Sequence, residues 1–472
     1  MIEFINDSDG DEFLLGGLAG TGKSTVLGAL YDQVGNDESI VWCCPTNRAC
    51  RVAATKGVPA VTIHSAMYKP IATALAEQSK EIERDIAEMI KAGAEPREIG
   101  TLKAALTRLR KRIEDAKALG REATSLSFHW NPESLLAKAS TVVIDEASMV
   151  GGRLLRDMGN NPSLSIVFIG DHGQLPPVKD QQIFKEESLD FELTEIFRQE
   201  EGSGILDAAV NARKSGLIKL VSIGSEYNAI RKGQGVPWEE IDVALAWKNT
   251  SVFQLAQTAR DAAGIERGSI IQKGEPLLAM ELVNANRNRS RVHNGTFWKF
   301  VEWKKPLPKW VAKKNPPDGL GDRDYYFRAV IEDDTGMTVT APLSVRSHVQ
   351  GVDKFVKDAP YWGGFAWGYA ATVHKSQGGE WNSVFIYDET SWWRMKDARQ
   401  QKERKQWAYT ALTRARRKVF VTTPTRHPIS TIGNTISASK SETTSPPGNR
   451  NRNRSSERKS PKRAKPIRRK GD

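Results

Sequence analysis

The stretch GGLAGTGKST, Gly16 to Thr25, has the residue types and spacing of a phosphate cradle. Gly17 to Ser24 fits G-x-x-x-x-G-K-[ST] at every specified position. Such glycines let backbone N–H groups approach phosphate oxygens where a helix begins. Lys23 is placed to neutralise the β- and γ-phosphates, and the Ser24 hydroxyl to ligate Mg²⁺. The expected cradle is Gly17, Gly20, Thr21, Gly22, Lys23, Ser24 and Thr25, and the expected cofactors are ATP and Mg²⁺. A phosphate cradle alone says only that a nucleotide binds.

Two further groups point to hydrolysis. Asp145 and Glu146 end the apolar run TVVIDEASM, where a strand would deliver them together. Asp145 suits the Mg²⁺ shell, and Glu146 suits orientation or deprotonation of an attacking water. One element later comes GDHGQLPP, whose Gln174 offers an amide to sense a γ-phosphate. Adjacent acids in a solvated loop would be the plain alternative, but here an apolar strand carries them.

The elements that must position these groups are legible as apolar runs closed by polar residues. ESIVWCCPTNRAC, STVVIDEASMV and LSIVFIGDHGQLPPV read as buried parallel strands. Residues 71–120, rich in Ala, Glu, Lys, Leu and Arg and broken by KAGAEPREIG, read as a helical hairpin inserted in the first α/β unit. A second α/β unit begins near Leu193, includes VALAWKNTSV, and resumes with SVFIYDET and RKVFVTTP. Between Asn294 and Trp362, short aromatic and β-branched runs between turns read as a small β-barrel. The expected boundaries are 1–70 with 121–187, 71–120, 188–293 with 363–426, 294–362, and a disordered tail from 427 to 472.

Composition bounds the class. With 39% hydrophobic and 27% charged residues, the chain has the means to build cores of ordinary size. No apolar run approaches the roughly 18 residues of a membrane span, and the acidic start MIEFINDSDGDEF is no secretion signal. Cys43, Cys44 and Cys50 match no zinc spacing and read as buried thiols of a reducing, intracellular compartment. Residues 440–472 hold 12 basic and 3 acidic residues, so the tail carries +9 of the net +12. A nucleic-acid site in the nearly neutral body has to rest on motifs.

Those motifs are present in order: VIDEASMV, GDHGQLPPV, LTEIFRQ, ATVHKSQGGEW and YTALTRARRKV, with PTNRAC and TIHSAMY completing the set. The series resembles the superfamily 1 helicases, most closely the RecD-like and Dda-like group, and spans about residues 13 to 425. The resemblance implies two RecA-like P-loop cores with ATP between them, an SH3-like barrel in the second, and a DNA helicase activity. It implies that Lys23, Asp145, Glu146, Gln174, Arg198 and Arg414 serve catalysis, with both arginines reaching the γ-phosphate from the second core. Gln377 falls near the coupling path and Glu380 near the ribose; Arg416 and Arg417 read as surface arginines. Thr46, Asn47, Thr62, His64, His374 and Lys375 fall at the family's DNA-contacting positions.

The partners so implied are single-stranded and forked duplex DNA, with 5′→3′ movement. The chain departs from the family pattern in two places. No glutamine precedes Gly16 to read adenine. The insertion after TIH reads as helical where close relatives carry a strand-splitting β-hairpin, so the wedge is a helix tip near KAGAEPREIG or lies elsewhere. Nine of thirteen tryptophans fall between Trp298 and Trp407, from which one or two base-stacking residues are expected. Two other outputs remain compatible with the motifs: a motor subunit of a helicase–nuclease, and a DNA-stimulated ATPase that remodels protein–DNA complexes. The basic tail reads as a DNA tether or an arm for replication or recombination proteins. A monomer in a bacterial or phage cytoplasm is expected, without membrane attachment.

Overall fold

The computed structural model describes residues 1–429 except 36, 92–95, 120–127, 179, 196–203, 287–289, 351–361 and 393–396. Arg198, the tip of the helical hairpin and the tail from residue 430 lie outside the described residues.

Six parallel strands form the first sheet, in the order Val61–Thr62, Ile40–Cys44, Thr141–Ile144, Ser165–Gly170, Glu12–Gly17, Phe191–Leu193. Strands buried on both faces need continuous apolar runs, and the pairs Val142 with Ile166 and Val143 with Val167 supply them. One face packs Leu27, Leu30 and Trp42; the other packs Ile63, Met67 and Phe168. The expected boundary at 187 is overrun. Phe191–Leu193 pairs in register with Leu15–Gly17 and closes the first sheet rather than opening the second unit.

The second sheet is also parallel, ordered Ala370–Thr372, Val243–Ala246, Trp381–Tyr387, Ala415–Thr422, Tyr227–Ala229. Helices Gly204–Ser215 and Ala398–Leu412 share a buried cluster on one face through Ala208, Ala212, Trp407 and Leu412. Two RecA-like cores are thus present.

The inserted β module is a five-stranded antiparallel sheet, ordered Thr338–Ser344, Tyr326–Glu332, Phe297–Trp303, Pro276–Ala279, Phe365–Trp367. It extends beyond the expected 294–362 on both sides. PLLA and FAW fall inside the expected bounds of the second core, but they pair antiparallel with each other in this sheet. A two-stranded ribbon, Val283–Ala285 with Ser290–Val292, flanks it. Trp298, Trp362 and Trp367 lie in one apolar cluster with Leu255 and Phe385 of the second core, so sheet and core share an interior.

The helical insertion comprises Ile71–Lys91 and Pro96–Leu119, packed against each other. At its foot the chain leaves along Tyr68–Pro70 and returns along Phe128–Trp130, with Tyr68 opposite Trp130. Among the described residues, no helix is long and apolar enough to cross a membrane.

The first core docks on the second module through helix Asn47–Ala54. Arg51 pairs with Asp333 at 2.8 Å, and Arg48 lies over the Trp381 ring at 4.0 Å. Arg51→Ala is expected to lower the unfolding free energy by about 1–2 kcal/mol, because the Asp333 carboxylate is buried and loses its cation. A urea titration measures this; an unchanged midpoint would show that the pair contributes nothing.

Candidate nucleotide site and nucleic-acid groove

Strand Glu12–Gly17 runs into the phosphate loop, and helix Lys23–Val34 starts directly behind it. Gly20 and Gly22 have φ of 85° and 84°, a left-handed turn that a side chain would strain. No side chain caps the helix at Gly22, and Thr25 N already donates to Gly22 O at 2.9 Å, so it is the N–H groups ahead of Thr25 that are left for an anion. Lys23 Nζ folds back onto the carbonyls of Gly17 and Leu18 at 2.8 and 2.7 Å, which occupies the cation within its own loop. Thr21 Oγ1 donates to Leu18 O at 2.8 Å and stiffens the turn. Ser24 and Thr25 begin the helix.

Asp145 and Glu146 stand at the end of Thr141–Ile144, as their sequence position implies. Asp145 Oδ1 accepts from the Glu146 N–H at 2.8 Å. Glu146 adopts φ 56° and ψ 39°, a left-handed conformation rare for a residue with a side chain. Burial, then the neighbouring Asp145 charge, pushes the Glu146 pKa up, while Arg414 and Lys23 oppose the rise. Burial likewise raises Asp145. Glu146 Oε2 and Gln174 Oε1 are buried without a hydrogen-bond partner among the described residues. A buried carboxylate oxygen and amide oxygen without partners, in a chain whose phosphate loop leads into an uncapped helix, fit a Mg²⁺-bound triphosphate with its water. The donor set is therefore consistent with the expected cofactors.

From the second core, Arg414 is 3% exposed and is fixed by Thr410 O at 3.0 Å, Gly379 O at 3.1 Å and Thr413 Oγ1 at 3.2 Å. Burial lowers its pKa, offset by Glu146 and then Asp171. Gln377 Nε2 donates to Leu175 O at 2.9 Å, and Leu175 N donates to Thr410 Oγ1 at 3.0 Å. The GDHGQL segment is thus clasped from two sides. Glu380 bonds Arg416 Nε at 3.1 Å, which ties its carboxylate to an arginine read as a plain surface residue.

The DNA-facing candidates share a local rule: a threonine ends or follows a strand and caps a short helix. Thr46 accepts from Ala49 N, Thr62 from Ser65 N and Thr372 from Lys375 N. The Thr46 and Thr62 oxygens are therefore already in use as caps. Asn47 opens its helix. His64 and His374 face a common cleft of about 610 Å³ between the cores, with Tyr68, Trp130, Arg153 and Gln377 in its walls. His64 packs on Tyr68 at 5.6 Å between ring centres, and His374 on Trp247 at 5.2 Å. Burial lowers the pKa of both histidines, in His64 with help from Arg153. Lys375 Nζ points instead to Met280 Sδ at 3.0 Å, and burial lowers its pKa. Cys43 and Cys44 are buried as expected, whereas Cys50 is half-buried.

Sequence reading missed Tyr68, Trp130 and Arg153. The signal was present in part, since Tyr68 closes TIHSAMY, but Trp130 joins it only across the insertion.

Comparison with known proteins agrees with this geometry. Residues 3–234 match the family described as AAA domain, and residues 368–422 match the UvrD-like helicase C-terminal domain. A nucleotide-binding first core followed by a helicase second core defines an ATP-dependent DNA helicase. The chain is a superfamily 1 helicase of the RecD-like group. Its ATP is bound through the phosphate loop.

Solved structures that resemble it include Pif1 helicase from Candida albicans, at 16% identity and a TM-score of 0.46, covering 91% of this chain and 95% of that one. Pif1 from Bacteroides, solved with ADP-AlF3 and single-stranded DNA, has 16% identity and a TM-score of 0.45, covering 94% and 96%. No curated protein matches the sequence.

Proposed function

We propose that this helicase translocates along single-stranded DNA and unwinds duplex at a fork, driven by closing and reopening of its two cores around ATP. The observation that carries the reading is Gln377. It stands in the wall of the inter-core cleft, yet its amide bonds Leu175, the neighbour of the nucleotide-facing Gln174. A strand in the cleft and a nucleotide at the phosphate loop therefore act on one short segment. The 5′→3′ sense follows from the family resemblance.

In this reading Lys23 leaves its loop carbonyls for the β- and γ-phosphates, and Gly17, Gly20, Thr21, Gly22 and Thr25 line the cradle, the Thr21 and Thr25 N–H groups once they turn from Leu18 O and Gly22 O. Ser24 and Asp145 would hold Mg²⁺, which when bound neutralises phosphate charge. Glu146 takes the water proton, Gln174 reads the γ-phosphate, and Arg414, with Arg198, stabilises the charge that develops on transfer. Glu380 is assigned to the ribose only if it releases Arg416. His64 and His374, and Lys375 once it leaves Met280, contact the strand beside the caps Thr46 and Thr62 and the helix start at Asn47, giving sequence-independent binding.

The deciding experiment measures ATP hydrolysis with and without single-stranded DNA, then unwinding of forked substrates of each polarity. Strong stimulation with 5′-tailed unwinding is expected. Hydrolysis indifferent to DNA would sink the reading. Trp130→Ala is expected to weaken single-stranded DNA binding by about 1–3 kcal/mol, the worth of one stacked base. Fluorescence anisotropy reads this, and an unchanged affinity would remove Trp130 from the strand path.

A further inference from the structure

A hydroxyl from the second core reaches into the phosphate loop. Tyr409, on helix Ala398–Leu412, is 1% exposed. Its Oη accepts from Ala19 N at 2.8 Å and donates to Asp171 Oδ2 at 2.7 Å. Asp171 is fully buried; its other oxygen accepts from Gly173 N at 2.9 Å, and Gln174 Nε2 approaches Oδ2 at 3.3 Å. Gly173 is fitted to the ring, since a Cβ there would stand 3.1 Å from Tyr409 Cε1. Burial and then the Asp171 charge push the phenol pKa well up, so the proton stays on oxygen and the direction of both bonds is fixed.

Ala19 lies one residue beyond the carbonyl of Leu18, which holds Lys23 in the folded-back position. A shift of Tyr409 with the second core pulls on the Ala19 amide, and through Asp171 on the segment that carries Gln174. We propose that Tyr409 is a positioning residue whose hydroxyl transmits the seating of the second core to the phosphate loop. The residue touches no reacting atom; it sets where Lys23 and Gln174 stand when the cores close. The inference rests on the reading of the chain as a DNA-driven ATPase.

Tyr409→Phe keeps the ring beside Gly173 and deletes both bonds. In the full chain, the ratio of ATPase rates with and without oligo-dT is expected to fall about fivefold or more, the equivalent of one lost hydrogen bond. The KM for ATP is expected to shift by less than about twofold, because the cradle's own N–H groups remain. Gly173→Ala, which keeps the phenol but crowds Tyr409 Cε1 at 3.1 Å, with Arg213 Nε and Asp171 Oδ1 at 3.2 Å, and so shifts the hydroxyl from Ala19 N, is expected to lower the same ratio. It decides the matter if the phenylalanine variant melts early. A merely structural role would lower both rates by one factor and leave the ratio intact, and that result overturns the proposal alone. A wild-type ratio of one removes the DNA-driven reading and the proposal with it.

Discussion

Arg414→Ala is expected to reduce DNA-stimulated ATP turnover by about 10³-fold, the lower end of what an arginine aimed at a transferring phosphoryl group supplies. The side chain is buried, and three hydrogen bonds fix it. Its charge is the first to oppose the rise of the Glu146 pKa that burial and Asp145 cause. Because the guanidinium belongs to the second core, its effect requires closure. Nucleotide affinity should change far less than turnover. Arg414→Lys keeps the charge and loses the planar fork that reaches Gly379 O and Thr413 Oγ1 together, so lysine is not expected to rescue. Steady-state turnover at saturating single-stranded DNA checks both variants. A loss under tenfold would move Arg414 from the reaction to a purely structural post.

Glu146→Gln should have the second large effect, a fall in turnover of about 10²–10⁴-fold, the range for a general base. The amide fits the same space and the same left-handed backbone, so ATP binding survives while proton removal does not. The variant is also expected to melt at a higher temperature in the absence of nucleotide. A neutral amide ends both the burial of a charge and its repulsion by Asp145. Higher stability with lost turnover would mark Glu146 as a residue kept for chemistry against stability. Retained turnover would send the base assignment elsewhere.

Much of this site was legible in the sequence because a parallel strand announces itself twice, by an apolar run and by the polar residues at its end. VVIDE, IVFIGD and VWCCPTN all show both signals, and Asp145, Glu146, Gln174 and Thr46 stand where those signals put them. The three-residue strand FEL carries too short an apolar run to be told from a linker, so the edge of the first sheet was misplaced. The bounds of the β module, set at 294–362, left out PLLA and FAW for a related reason, since periodicity in so few residues does not separate antiparallel from parallel pairing. The cleft wall failed differently. Tyr68 and Trp130 are 62 positions apart, and only the ribbon at the foot of the insertion brings them together. Tyr409 could be read as a core aromatic; its two polar contacts come from segments some 240 and 390 residues away.

That ribbon bears on how such a chain can change. The helical arm, about 32 Å along its first helix at 1.5 Å per residue, departs and returns on adjacent antiparallel strands. A tight turn joining Pro70 to Phe128 would close the gap without rerouting any strand of the six-stranded sheet. Arm and motor are therefore separable units of inheritance. Trimming or replacing the arm is expected to leave the six-stranded sheet folded, with Tyr68 opposite Trp130 as its socket.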